Sequence, residues 1–309
     1  MKRVIGKRFL CLLLTLAMLA SLVPAVFALR DEEERKVTPP SGKYLVSQTD
    51  YQITNGVTES QILLNDATGN NQVAAFMTTV SAGAKVTFKA SYKGYYTKGS
   101  TPASRADASK NLTWGMQKTT DQAKAYEEAT GQKVIFATNG DYYNMQTLQP
   151  LGYLIMEGNV IKEANEPYFA ILKDGTAVIR DAGTPTDDVM EAVSGTPYLL
   201  KNGEIQANVM ADGNMMPRNS VGIRADGSVV FFMAEGRLAP RSIGMDLYEV
   251  AAILKDAGCV TALYLDGGGS ATFAAREEGD ELKMLSKPSD GHERTISSGM
   301  LCISTESQD

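Results

Sequence analysis

The sequence predicts an α+β fold: a mixed, largely antiparallel β-sheet core with two principal helices packed on it. Three observations carry this. Turn pairs Glu157-Gly158-Asn159, Asp174-Gly175, Asn202-Gly203 and Asp226-Gly227 each separate β-rich stretches, as two-residue hairpin loops demand. Residues 44 to 96 are rich in Val, Thr, Phe and Tyr, broken by Gly/Asn turns. Two amphipathic segments each end at a glycine and run directly into a short apolar strand.

In chain order, Lys2, Arg3, Lys7 and Arg8 precede an apolar run from Phe9 to Leu22, broken at Pro24 and followed by Val26-Phe27-Ala28. That is the layout of a secretory signal peptide over 1–28, with an apolar run short for a spanning helix. Cys11 lies far from the cleavage site, which argues against a lipid anchor. No later stretch is long or apolar enough to span a membrane, so a secreted, extracytoplasmic protein is expected. Residues 29–43 read as a charged, Pro-terminated tether, and 44–305 as one domain. Strands are expected over 61–65, 72–80 and 84–92, then an irregular surface loop over 97–113.

The first helix–strand unit has Thr120 as N-cap, Ala123, Tyr126 and Thr130 on one face, and Gly131 as terminator. Its strand, Val134 to Ala137, stops at Asn139-Gly140-Asp141-Tyr142-Tyr143. Hairpins follow, interrupted by a short helix expected near Asp187 to Val193. In the second unit Asp246 and Glu249 have capping-box spacing, Leu247, Val250, Ala251 and Leu254 form the apolar face, and Gly258 ends the helix. The strand Val260 to Leu265 then exits into Asp266-Gly267-Gly268-Gly269-Ser270. If the two unit strands are parallel, both loops open on one sheet edge, where α/β proteins bind ligands. The last strand is expected over Gly299 to Ser304.

The first 28 residues hold four of the 30 Lys+Arg and none of the 36 Asp+Glu, so the remainder carries a formal charge of −10. That argues against a nucleic-acid partner. The single histidine, His292, excludes His-rich metal sites and leaves chemistry to carboxylates, arginines, hydroxyls and amides. Cys259 and Cys302 outlast signal removal and can either bridge or stay as buried thiols.

Polar clusters gather where strands start or stop, the usual place for sites. Asn139 and Asp141 follow one strand, and Asp266 to Ser270 follow another. Pro217-Arg218-Asn219-Ser220 enters a hairpin strand, Glu235-Gly236-Arg237 leaves its return, and a loop holding Asp290 and Arg294 precedes the last strand. Arginines with a glycine turn suit phosphate, because guanidinium grips its oxygens two at a time and successive amides can point at one anion. Carboxylates without histidine suit acid/base work at an acetal carbon. Plainer roles stand beside these: Asp266 capping a turn, Arg218 and Arg294 pairing with surface acids, Trp114 packing in the core. Tyr142 and Tyr143 can stack on a sugar ring or pack inside.

In order along the chain, Asn139-Gly140-Asp141-Tyr142-Tyr143, Pro217-Arg218-Asn219-Ser220-Val221-Gly222, Glu235-Gly236-Arg237, Ser242-Ile243-Gly244, Leu265-Asp266-Gly267-Gly268-Gly269-Ser270 and Arg294 through Ser298 resemble the phosphodiester glycosidase family. The resemblance covers roughly 56–304. It implies a hydrolase cutting between a sugar's anomeric carbon and a phosphodiester, with a glycan or sugar-1-phosphodiester as substrate. By position it implies catalytic roles for Asp266, Asp141 and, third, Glu235. Phosphate binding falls to Asn139, Arg218, Gly267, Gly268, Gly269, Ser270 and Arg294. Three positions depart from the family pattern: Glu235 where aspartate is expected, Asn219 where threonine is usual, and Thr295 where proline often follows. No cofactor is fixed; the carboxylate loops can hold calcium or magnesium, though no EF-hand spacing occurs. The alternatives are a non-catalytic polysaccharide- or wall-binding protein and a phosphodiesterase cutting the P–O bond.

Overall fold

The computed structural model describes residues 36–209, 213–277 and 281–305. The expected signal segment and residues 29–35 of the tether lie outside the described residues. Strands β1 (Lys43–Thr54), β2 (Val57–Asp66), β3 (Gln72–Val80) and β4 (Val86–Ser91) come first. Helices α1 (Pro102–Ser109) and α2 (Thr119–Thr130) precede β5 (Val134–Asn139). Then follow β6 (Leu154–Met156), β7 (Asn159–Lys162), β8 (Tyr168–Leu172), β9 (Ala177–Arg180), β10 (Val189–Ser194), β11 (Tyr198–Lys201) and β12 (Glu204–Ile205). The hairpin β13 (Arg218–Arg224) and β14 (Val229–Ala234) leads to α3 (Leu247–Asp256) and β15 (Cys259–Tyr264). Finally come β16 (Phe273–Ala275), β17 (Lys283–Met284) and β18 (Gly299–Ser304).

These strands form an eight-stranded sheet ordered β1-β2-β3-β14-β13-β15-β11-β12 and two five-stranded sheets, β7-β6-β10-β8-β9 and β17-β16-β5-β18-β4. Every strand pairing among the described residues is antiparallel, so the sheets are not mixed. Strands β5 and β15 belong to different sheets, which removes the shared parallel edge that the two helix–strand units suggested. All four expected hairpins form. All three sheets bury phenylalanines in one core. Phe231 of β14 lies 5.5 Å from Phe88 of β4, 5.1 Å from Phe136 of β5 and 5.8 Å from Phe169 of β8, between ring centroids.

Helix α3 packs on the eight-stranded sheet and α2 on β5 and β18. The Asp246/Glu249 capping box forms as expected, each side chain accepting from the other residue's backbone N–H. Helix α2 starts one residue before its expected cap, after Lys118, which makes no side-chain cap. Its orphan donor is met from a distance: Thr120 N–H donates to Glu293 at 3.0 Å.

Three local expectations are corrected. Residues 97–113 hold α1, whose Thr101 cap and Pro102 start are a capping box with Ser104 that a polar composition conceals. The helix expected at 187–193 is strand β10, because its Val189, Glu191, Ala192 and Val193 are buried against β6 and β8. The tether stops short of Lys43, which opens β1. Cys259 and Cys302 are buried, unbridged thiols on strands of different sheets.

Candidate active site

The site starts from a stitch between two loops. After β5 the chain reaches Asn139-Gly140-Asp141, and after β15 it reaches Leu265-Asp266. Asp266 N–H donates to Gly140 O at 2.9 Å, and Asn139 Nδ2 donates to Asp266 O at 2.7 Å. Leu265 N–H donates to Asn219 O at 2.9 Å, which brings in the first residues of β13. Asn219 is wholly buried and its Nδ2 reaches Thr138 Oγ1, Asn139 O and Asn139 Oδ1 at 2.9–3.0 Å. Two sheets thus meet at one buried amide hub, and that hub sets where both aspartates stand.

The hub corrects one expectation. Asn139 was expected to bind phosphate, but its Oδ1 accepts from Thr272 N–H and Asn219 while its Nδ2 holds Asp266 O. It positions the site and has no group left for a ligand. Asn219, which stands where the family's threonine is usual, is spent inside the hub and stitches the loops together.

Asp141 is buried, and its carboxylate accepts from Tyr142 N–H at 2.7 Å and from Gly152 N–H. Burial pushes it up to about 7 against the pull of those two donors, with the Asp266 and Glu166 charges pushing the same way. Asp266 is raised to about 6 by burial, opposed by the Ser270 hydroxyl, the Arg294 charge and the Gly267 N–H. Two buried aspartates raised toward neutrality, the Asp266 charge acting on Asp141, are suited to proton transfer at neutral pH.

Ser270 bridges Asp266 to Arg294, whose Nη1 donates to Ser270 Oγ at 3.4 Å. Arg294 is itself anchored, donating from Nε and Nη2 to Asp290 at 3.0 and 2.6 Å. Arg218 is buried and its donors go to Met245 O at 2.9 Å, Asn214 O at 2.9 Å and the Tyr264 hydroxyl at 3.3 Å, with its guanidinium 5.4 Å from the Tyr264 ring centroid. No carboxylate pairs with it among the described residues.

The glycine turn is a single 3₁₀ turn over Gly268–Ser270. Gly268 N–H donates to Pro217 O and Ser270 N–H to Gly267 O, so those two amides are spent within the protein and do not form the anion nest expected of them. The bare backbone is needed all the same. A Cβ on Gly267 would lie 2.6 Å from Pro217 O and closer still to the Tyr264 hydroxyl, and Gly269 backs onto Arg294 and Asp290. Glu235 also moves away from its expected catalytic role. Its carboxylate takes Arg241 Nε at 2.9 Å, Arg241 Nη2 at 3.2 Å and Lys287 N–H at 2.7 Å. That makes it a brace for the loop after β14.

Tyr142 and Tyr264 pack edge-on with ring centroids 5.9 Å apart, and the Tyr264 hydroxyl links Tyr142 to Arg218. Sequence reasoning named neither Tyr264 nor Gly152. The first hides in an apolar strand and the second contributes only an amide. Trp114 packs against the core, edge-on to Tyr92 at 5.3 Å, as expected. Among the described residues no group of three or more His, Cys, Asp or Glu side chains is arranged to hold a metal ion. A cleft of about 420 Å³ lined by Pro167, Asp181, Pro197, Tyr198 and Lys201 includes none of the residues above.

The model of the phosphodiester glycosidase family matches residues 132–303, a span that contains both aspartates, the amide hub and the glycine turn. The chain belongs to the phosphodiester glycosidase family. It is 30% identical over 161 residues to the N-acetylglucosamine-1-phosphodiester alpha-N-acetylglucosaminidase of Mus musculus, covering 44% of this chain and 31% of that protein. The Homo sapiens protein of the same name is 27% identical over 179 residues, 49% of this chain and 34% of that protein. The chain thus spans about a third of the curated relatives it matches. In fold it is similar to the catalytic domain of zebrafish N-acetylglucosamine-1-phosphodiester alpha-N-acetylglucosaminidase, with TM-score 0.59, 24% identity, 86% of this chain and 90% of that chain covered. A protein from Synechocystis matches at TM-score 0.59 and 13% identity over 86% of this chain and 69% of that one.

Proposed function

We propose that this phosphodiester glycosidase family member is a secreted hydrolase that cuts the bond between a sugar's anomeric carbon and a phosphodiester in an extracellular or cell-wall glycan. The observation that carries the chemistry is the pair Asp141 and Asp266. They come from two sheets, are joined through Gly140 and Asn139, and are raised by burial to about 7 and about 6, with the Arg294 charge acting on the second. The extracytoplasmic setting rests on the signal-like first 28 residues and the acidic balance of the remainder.

The phosphodiester is a weak base and leaves with the C–O bonding electrons without needing much protonation. The remaining work is to stabilise positive charge at the anomeric carbon and to take a proton from water as its oxygen bonds to that carbon. Asp266, ionised above about pH 6, suits both tasks. Asp141, clamped by two backbone N–H groups, keeps its carboxyl fixed and exchanges its proton nearer pH 7. Positive charge from Arg294 and Arg218 favours the departing anion.

The test is sugar release from a sugar-1-phosphodiester by the purified protein and by Asp266→Asn. Loss of a proton-transfer group lowers rate by about 10²–10⁴. Undiminished release by the variant would remove Asp266 from the reaction. Saturable glycan binding without turnover by the wild type would favour a binding protein instead.

A further inference from the structure

Three arginines surround the glycine turn after Asp266, and they are not equivalent. Arg218 spends its donors on two backbone carbonyls and the Tyr264 hydroxyl. Arg294 is paired with Asp290. Arg237 is exposed, and its guanidinium makes one weak contact, Nη2 to the Met216 sulfur at 4.0 Å. It has no carboxylate partner among the described residues. It lies directly over the turn: a Cβ on Gly268 would sit 3.4 Å from its Nη1 and 3.8 Å from its Nη2.

The backbone beneath Arg237 is held in an unfavourable conformation to achieve this. Its φ is +59°, the left-handed region that disfavours a side chain. Such strain persists only where the surroundings impose it, and it gathers at ligand clamps. Here the imposing contacts are visible. Leu238 and Ser242 exchange backbone hydrogen bonds at 2.9 and 3.2 Å, and Arg237 N–H reaches Ile243 O at 3.4 Å. A Cβ on Gly236 would lie 2.5 Å from the Met216 carbonyl carbon and the Pro217 nitrogen. The Glu235–Arg241 ion pair closes the base of the loop. Four features together fix one unpaired guanidinium over Gly268, two residues past Asp266.

We propose that Arg237 supplies the free guanidinium fork that grips the phosphodiester, while Arg218 and Arg294 hold the site's frame. This rests on the glycosidase reading and assigns its anion-recognition element. Two donors in one plane match two phosphoryl oxygens, and an uncharged leaving group would have nothing to gain from them.

The test compares two substrates that share a sugar and differ in leaving-group charge: the methyl phosphodiester of α-N-acetylglucosamine-1-phosphate and 4-nitrophenyl α-N-acetylglucosaminide. Arg237→Ala is expected to lower kcat/KM for the phosphodiester by about 10–100-fold, the worth of a charge-assisted bond, and the aryl glycoside by less than about twofold. Arg237→Lys is expected to recover part of the loss. Arg237→Gly relieves the left-handed backbone, so its Tm is expected to rise while phosphodiester turnover still falls, a pairing that misfolding cannot produce. An equal fall on both substrates, or no fall on either, would overturn the proposal. Calorimetric binding of the same phosphodiester to Asp266→Asn, with and without Arg237→Ala, reads the grip without turnover. Arg237-dependent binding by a wild type that releases no sugar would support the grip and count against hydrolysis. Equal affinity with and without Arg237, or no binding to either, would overturn the grip itself.

Discussion

Replacing Asp141 with asparagine should remove a pH-dependent weakness of the fold together with its activity. The Asp141 carboxyl is raised from 3.8 to about 7, first by burial and then by the Asp266 charge. A raised carboxyl binds its proton more tightly folded than unfolded. Its contribution is therefore full below about pH 3.8 and is lost as pH climbs through about 7. Between pH 5 and pH 8.5 the folded group traverses roughly two pH units of that window, each worth about 1.4 kcal/mol, or about 2–3 kcal/mol in all. Asparagine stays neutral and keeps one acceptor for the Tyr142 or Gly152 N–H, so Asp141→Asn should behave at every pH as the protonated wild type does. The assay is urea unfolding of both proteins at pH 5, 6, 7 and 8.5. The variant should already lead by about 1–2 kcal/mol at pH 5, and the gap should widen by about 2–3 kcal/mol by pH 8.5, while sugar release falls by about 100-fold or more. Parallel stability–pH curves would refute the buried, charge-coupled carboxyl on which the acid/base reading relies.

Asn219→Ala removes three donor contacts to Thr138 and Asn139 and leaves the Asn139 amide short of a partner; unfolding free energy should fall by about 2–4 kcal/mol in denaturant titration. Gly267→Ala forces a methyl onto Pro217 O and the Tyr264 hydroxyl, so sugar release should drop by at least about 100-fold, whereas Gly175→Ala, where the space around the glycine is open, should leave it intact. Glu59 on β2 is fully buried beside the Glu277 carboxylate, with no basic side chain paired to it among the described residues. Burial, with Glu277 and Asp50 adding, raises it from 4.5 to about 9. Stability should therefore decline from about pH 4.5 to about pH 9, and Glu59→Gln should flatten that decline and raise Tm at pH 8.

Much of this was legible in the sequence, and the failures have local causes. Hairpins were readable because Asn-Gly and Asp-Gly dictate a turn wherever they occur, and α3 because Asp246 and Glu249 write a capping box before an apolar face. Strand β10 was not, since its strand state depends on burial between β6 and β8, which no local pattern encodes. The helix α1 was missed because its capping signal sits in a segment with no apolar stripe. At the site, residue identity predicted which groups gather but not how their hydrogen bonds are spent. Asn139 and the Gly268 and Ser270 amides looked like ligand donors, and the fold uses them on itself. Arg218, Arg237 and Arg294 are alike as letters. Only the count of their partners separates the arginine with a free fork from the two that frame the site.

The measurement that bears most directly on the account is hydrolysis of a sugar-1-phosphodiester in ¹⁸O-labelled water, with both products weighed by mass spectrometry. Attack at the anomeric carbon, the step assigned to water activated by Asp266, places the label in the released sugar. Label found in the phosphate product would mean that the phosphorus–oxygen bond is the one cut, and the roles given to the two aspartates would be wrong.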